Sequence, residues 1–363
     1  MLHDLLTPRE MAKVDRLATA AGAFTGIQLM RNAGAAVAAV VLDRFPQAVD
    51  VHILCGPGNN GGDGYIVANI LARSGVAVSV WAEGRPKEGS DAALALAECP
   101  VEPRSLSGFR PRRGSVVIDA LYGAGLSKAL SIDAVAAVEA ISTLGVPVVS
   151  IDLPSGISGE SGMAFGPAFR AAATVTFARR KPGHLLLPGR EFCGEIVVAD
   201  IGIGAAVIAA VKPECFENRP GLWLRHFSFP AVDTHKYRRG HVGVFSGGPS
   251  STGAARLAAM AAARAGAGAV TLLSPASALA VNAAHLTSII LRKSDSVKDA
   301  LVFVTERKAD ALVFGPGLGP QAKTAEFLLD LLDQRGSQTL RAIVVDADAL
   351  TAVAIQPGAL FMA

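Results

Sequence analysis

Val51-His-Ile-Leu-Cys-Gly-Pro-Gly-Asn-Asn-Gly-Gly-Asp-Gly64 decides the reading of this chain. The apolar run Val51–Cys55 reads as a buried strand, and it breaks into a glycine-rich loop followed by the helical pattern Tyr65 to Arg73. Strand, glycine loop and helix in succession make a place for an anion. Glycines let backbone N–H groups come close, and a helix N-terminus adds about half a positive charge. A phosphate-bearing ligand is the first expectation. The loop also carries Asn59, Asn60 and Asp63, polar side chains that a loop for phosphate alone does not need. Gly56 to Gly61 also fits G-x-G-x-x-G, with Glu83 about 20 residues on, where a dinucleotide fold places its ribose-binding acid. A turn with Asp63 as a helix cap is the plainer alternative.

Around this stretch the pattern alternates. Val76 to Trp81, Val116 to Leu121 and Val146 to Leu153 read as strands, with helices at Asp91 to Glu98 and Ile132 to Leu144 between them. Ala173 to Phe177 and Glu195 to Ile201 extend the edge. Such alternation predicts one parallel sheet with helices on both faces. Upstream, Thr7-Pro-Arg-Glu10 and Thr25-Gly-Ile-Gln28 are capping boxes, so helices are expected from about Pro8 to Ala21 and from Thr25 toward Pro46.

At 363 residues and 51% hydrophobic, the chain has room for two domains with extensive cores. A net charge of +3 and the lack of a basic, aromatic-interleaved block argue against nucleic acid. Four cysteines without C-x-x-C spacing suggest neither zinc nor a disulfide framework, and a reducing cytoplasm is expected. The Ala-rich runs are broken too early to span a bilayer, and no membrane partner is expected.

Two further strands end in polar loops, Ile118-Asp-Ala-Leu-Tyr-Gly-Ala-Gly-Leu126 and Ser150-Ile-Asp-Leu-Pro-Ser-Gly156. Ligands of an open parallel sheet bind beyond the carboxyl ends of its strands, so Asn60, Asp119, Asp152 and Ser155 are expected to converge there. An amide, a carboxylate and a hydroxyl form an all-oxygen set suited to a hard cation. Asp152 is then free for proton transfer. Each also has a local role open to it, in a turn or a cap. Lys181, in Arg179-Arg-Lys-Pro-Gly183, is read as solvated, with a phosphate contact as the alternative, and His184 and His235 as loop residues.

Taken together, Leu6-Thr-Pro-Arg-Glu-Met11, the GPGNNGGDG loop, Asp119 to Leu126, Ile151 to Gly156 and Lys181-Pro-Gly183 resemble the NAD(P)H-hydrate epimerase family, the YjeF N-terminal domain. The resemblance covers roughly Met1 to Cys215. It implies a Rossmann-like three-layer αβα domain that interconverts the R and S epimers of a nicotinamide cofactor hydrated at C6. By motif it implies that Asn59, Asn60, Gly61, Gly62, Asp63, Gly123, Ala124, Gly125, Leu126, Ser127, Lys128 and Ala129 hold the hydrated dinucleotide. It further implies that Asn60, Asp119 and Ser155 bind potassium, and that Asp152 contacts the substrate as acid or base.

After the low-periodicity stretch 216–230, Thr234 to Gly248, an Ala-rich helix from Gly253 to Ala265, Ala311 to Gly319 and Ile343 to Leu350 repeat strand-to-glycine-loop logic. Residues 231–363 thus resemble an incomplete, ribokinase-like ADP- or ATP-dependent NAD(P)H-hydrate dehydratase. The resemblance implies that Ala254 and Gly317 contact hydrated cofactor. The sequence ends at Ala363, before the family's G-[ST]-G-D anion hole, so loss of dehydratase turnover and stabilisation by self-association in a homo-oligomer are expected. Two rival functions stand beside repair: a nicotinamide-dependent dehydrogenase using the G-x-G-x-x-G loop, and a non-enzymatic scaffold. Asp63 argues against the first, because a carboxylate beside a pyrophosphate is repulsive unless a cation intervenes.

Overall fold

A computed structural model describes the backbone of all residues except 1, 2, 23, 228, 230, 232, 335–339 and 363. The chain divides into two compact units, Met1–Leu224 and Arg225–Ala363. The division falls within the expected linker at 216–230, of which residues 228 and 230 lie outside those described. Strand β1 (Asp4–Leu5) pairs antiparallel with Cys215–Phe216, which ties the segment after residue 214 back to the first unit.

The two capping boxes form as read. Thr7 Oγ1 accepts from the Glu10 amide at 3.2 Å and starts α1 (Pro8–Ala20); Thr25 does the same with Gln28 and starts α2 (Gly26–Arg44). The main sheet holds seven strands: β2 (Val51–Cys55), β3 (Val78–Ala82), β4 (Arg104–Ser105), β5 (Val116–Ala120), β6 (Val148–Ile151), β7 (Ala173–Phe177) and β8 (Glu195–Ala199). All its pairings are parallel, in the order β4-β3-β2-β5-β6-β7-β8. Strand β9 is the Cys215–Phe216 pair partner of β1.

Side chains alternate across the sheet. Ile53, Ile118 and Val149 join a core with α2, α3 (Asn59–Arg73) and α4 (Asp91–Glu98). Leu54, Val117 and Val148 face the other way, onto Ala134, Ala137 and Ile141 of α5 (Ile132–Leu144). Three layers result.

Helix α3 begins at Asn59, not near Tyr65, so most of the glycines belong to its first two turns. Their work is close packing. A Cβ on Gly61 would fall 1.8 Å from the Gly56 carbonyl oxygen, so only glycine lets the helix start directly on the end of β2.

The second unit has a five-stranded parallel sheet, β10 (His241–Phe245), β11 (Ala269–Ser274), β12 (Ile290–Lys293), β13 (Ala311–Phe314) and β14 (Ala342–Val345), in the order β12-β11-β10-β13-β14. Phe245, Phe303, Phe314 and Leu328 anchor one of its cores.

The packing of α3 makes a direct prediction. Gly61→Ala forces backbone against backbone and lowers unfolding stability by about 2 kcal/mol or more. Gly125→Ala, where a Cβ meets nothing within 4 Å, stays within about 0.5 kcal/mol of wild type. Urea titration of the two variants checks this.

Candidate functional site

Strand order reverses at β2: the chain runs outward through β3 and β4, then returns to place β5 on the other side of β2. A crevice opens at such a switch point, beyond the strands' carboxyl ends. A cleft of about 680 Å³ lies there, lined by Pro57–Asn60 and Asp63 after β2, Leu121–Lys128 after β5, Asp152 after β6, and Lys181 after β7. That volume suits a small-molecule ligand. Met11, Met30, Phe177 and Ile201 give it an apolar wall.

Asp152 is held on every side. Its backbone takes a left-handed φ of 64°, which costs an aspartate about 1 kcal/mol or more. The backbone N–H donates to the Val175 carbonyl at 2.7 Å. The Lys181 amide donates to His184 Nδ1 at 2.9 Å, so His184 carries its proton on Nε2 and donates to the Asp152 carbonyl at 2.6 Å. Burial, with the Lys181 charge adding to it, lowers His184 to about 4, so the ring is neutral at physiological pH. The carboxylate accepts from Lys181 Nζ at 2.6 Å and Thr176 Oγ1 at 3.0 Å through Oδ1, and from the Ala124 amide at 2.9 Å through Oδ2.

Burial alone would raise Asp152, but the Lys181 charge and hydrogen bond, with the Ala124 amide, outweigh it and hold the group at about 2. Lys181 is 2% exposed and also donates to Thr176 Oγ1 at 2.9 Å. The solvated reading of Lys181 is therefore corrected. Its four-carbon stem turns inward, and the Asp152 carboxylate stabilises its charge where water cannot. His184, read as a loop residue, is fully buried beneath the site.

Asn60 approaches the same point. A Cβ on Gly123 would lie 2.9 Å from Asp152 Oδ2 and 3.1 Å from Asn60 Oδ1, so the glycine leaves room for both groups. Asn59, Asn60, Asp63, Gly123, Ala124, Gly125, Leu126, Ser127, Lys128 and Asp152 line the cleft. Gly61, Gly62 and Ala129 do not: Gly61 and Gly62 are buried under helix packing, and Ala129 is exposed next to Lys128. Glu83, directly after β3, is also outside the lining.

Asp119 and Ser155 lie beneath the floor. Asp119 is fully buried and accepts from Ser155 Oγ at 2.6 Å, the Ser155 amide at 2.8 Å, Ser150 Oγ at 3.0 Å and the Leu121 amide at 3.4 Å. Ser155 Oγ in turn accepts from the Tyr122 amide at 2.9 Å. The partners of Asp119 are all neutral, and burial pushes its carboxyl up to about 6 despite them. Asn60 Nδ2 is buried without a hydrogen-bond partner. That unsatisfied N–H donor adds nothing to a cation site; what fits a hard cation is the oxygen set itself, the Asn60 amide oxygen, the Ser155 hydroxyl and an Asp119 carboxyl with no cationic partner.

Asp15 of α1 was not singled out from the sequence. It stands exposed at the mouth of the cleft. Desolvation by the surrounding protein raises its carboxyl to about 6; Lys181 opposes the rise and Asp152 adds to it. Nothing in the local pattern of α1 marks this residue, because its role arises only when α1 packs beside the sheet.

In the second unit Ala254 is exposed in the first turn of the helix Gly253–Arg264. Gly317 lies in the loop after β13, where a Cβ would come 2.3 Å from the Ser251 carbonyl oxygen. Asp348 Oδ2 accepts from the Gly319 amide at 2.8 Å and fixes that loop.

The ion pair predicts a pH-dependent stability. The folded value of Asp152, about 2, lies below its ordinary 3.8, so its contribution is complete above about pH 4 and is lost as pH falls toward 2. Lys181→Met leaves the carboxylate buried without its cation. It should lower stability by about 3 kcal/mol at pH 7, with a smaller deficit near pH 3 where the variant's Asp152 is protonated. Denaturation of both proteins across this range checks the sign.

A sequence model of the YjeF-related protein N-terminus matches residues 26–183, and a model of NAD(P)H-hydrate dehydratase matches residues 242–361. The second match gives no support to the expected loss of dehydratase turnover. The bifunctional NAD(P)H-hydrate repair enzyme of Moorella thermoacetica is 34% identical over 96% of this chain and 70% of its own length. That of Coxiella burnetii is 32% identical over 96% and 71%, and that of Escherichia coli 29% identical over 98% and 68%. With both family models matched in series and a relative of this identity covered over more than two thirds of its length, the chain belongs to the bifunctional NAD(P)H-hydrate repair enzymes.

Proposed function

We propose that the first unit, corresponding to the expected epimerase domain, interconverts the R and S epimers of hydrated NADH and NADPH. The second unit then takes the ADP- or ATP-coupled dehydration, with Ala254 and Gly317 at the hydrated cofactor. The observation that carries the reading is the convergence of Asn60, Gly123, Asp152 and Lys181 on one cleft at the switch point of a parallel sheet.

In this reading the pyrophosphate meets the N-terminus of α3, whose cap, Gly58, makes no side-chain hydrogen bond and leaves the first amides open. Asn59, Asn60 and Gly123 to Lys128 hold the dinucleotide, and Met30 and Phe177 exclude water from the ring. Asp152 is the acid or base at the C6 hydroxyl, oriented by Lys181, Thr176 and the Ala124 amide. Asn60, Asp119 and Ser155 hold potassium, which supplies positive charge beside substrate oxygens. Four free cysteines suit a reducing cytoplasm. Among the described residues no helix is long and apolar enough to cross a membrane.

The assay is direct. A single epimer of NADH hydrate mixed with purified protein and potassium should equilibrate to both epimers, followed by chromatography. Asp152→Asn should slow this by about 100-fold or more. Consumption of an alcohol with NAD, or no change of either kind, would contradict the proposal.

The cation site gives a separate test. Potassium should raise Tm at pH 8, where Asp119 is ionised. The rise should vanish near pH 5, because Asp119 titrates at about 6 and is then protonated. Equal shifts at both pH values, or none in the wild type, would count against these ligands.

A further inference from the structure

Asp63 has a role that its place in the glycine motif does not explain. It is the fifth residue of α3 and not its cap, which is Gly58. Its side chain lines the cleft and is only 9% exposed. Among the described residues its carboxyl makes no hydrogen bond, so its remaining open direction is the cleft itself. A carboxyl in such a place is costly as an anion.

The charged groups that face it agree. Burial raises Asp63 well above the ordinary carboxylate range; Asp152 from the end of β6 and Asp15 from α1 raise it further, and Lys181 opposes them. That lysine is committed to Asp152 at 2.6 Å. One lysine among three carboxyls thus favours ionised Asp152 and pushes Asp63 toward its protonated form. Two acids pushed apart in this way take different parts in a reaction.

Epimerisation needs both parts. The C6 hydroxyl cannot leave as hydroxide without a proton, and a carboxyl held ionised at neutral pH has none to give. We infer that Asp63 is a second catalytic carboxyl, which protonates the departing C6 hydroxyl, while Asp152 receives the proton of the water that returns on the opposite face. The inference rests on the epimerase reading above.

The step balances without a redox partner. The N1 lone pair forms the N1=C6 π bond as the C6–O bond breaks, and the oxygen leaves as water with the proton of Asp63. A solvent water then adds its oxygen lone pair to planar C6 from the other face, and the π pair returns to N1. The added water, now a strongly acidic oxonium, gives its proton to the Asp152 carboxylate. Cleft water then resets both groups: Asp152 gives up its proton and Asp63 takes one back.

Asp63→Asn and Asp63→Ser test this with the R epimer of NADH hydrate in potassium buffer, followed to the S epimer by chromatography. Both should lower kcat by about 100-fold or more and leave KM within about threefold. The wild-type rate should fall on the alkaline side as Asp63 ionises, and the residual rate of both variants should lack that limb. Asp63→Glu should restore part of the rate. The Tm of the asparagine variant at pH 8 should be no lower than that of wild type, since a neutral amide replaces a buried acid. Variants that keep kcat within about threefold, or that lose activity through KM alone with the alkaline limb intact, would overturn the inference. A wild-type protein that leaves the R epimer unchanged would instead overturn the epimerase reading, and this inference with it.

Discussion

The ion pair between Lys181 Nζ and Asp152 Oδ1, 2.6 Å long and closed off from water on the lysine side, is the constraint on which the site depends. A lysine that is 2% exposed keeps its charge only beside an anion. The anion in turn accepts a strained backbone, with φ at 64°, because Lys181, Thr176, His184 and the Ala124 amide all hold it there. Strain at one residue, over-determined by its neighbours, is the mark of a positioned functional group.

The same pair sets the state of the rest of the cleft. Lys181 is committed to Asp152, so Asp63 feels that carboxylate more strongly than the cation, whereas at Asp15 the lysine weighs more and burial drives the rise. Below the floor Asp119 has only neutral partners, which leaves a deficit of positive charge where Asn60, Asp119 and Ser155 lie. The cleft therefore has three different walls: a helix N-terminus, an apolar face and an oxygen-rich floor.

Much of this is legible in the sequence because it is local. Strand runs ending in Gly56, Asp119 and Asp152 announce three loops, and parallel pairing puts all three at one end of the sheet. The capping boxes at Thr7 and Thr25 are likewise set by residues three apart. What is hidden depends on distant packing. Arg179-Arg-Lys-Pro-Gly183 has the composition of a solvated turn, and only the neighbouring ends of β6 and β7 turn Lys181 inward. Asp15 looks like one more polar residue on an amphipathic helix. The glycines after β2 look like an anion loop, whereas Gly61 is required by the 1.8 Å approach of the Gly56 carbonyl and the helix begins earlier than its apolar period suggests. The pairing of Asp4–Leu5 with Cys215–Phe216 is likewise hidden, because it joins residues about 200 apart in sequence.

The account turns on two carboxyls of one cleft being in opposite states at the same pH. Carbon-detected NMR of protein labelled at the aspartate carboxyl carbon, titrated from pH 4 to 9, reads those states directly. The account predicts an Asp152 signal that stays at the carboxylate position throughout and an Asp63 signal at the carboxylic-acid position at neutral pH, with both assignments made from Asp152→Asn and Asp63→Asn spectra. An Asp63 signal already at the carboxylate position at pH 6, or an Asp152 signal that titrates near neutrality, would contradict it.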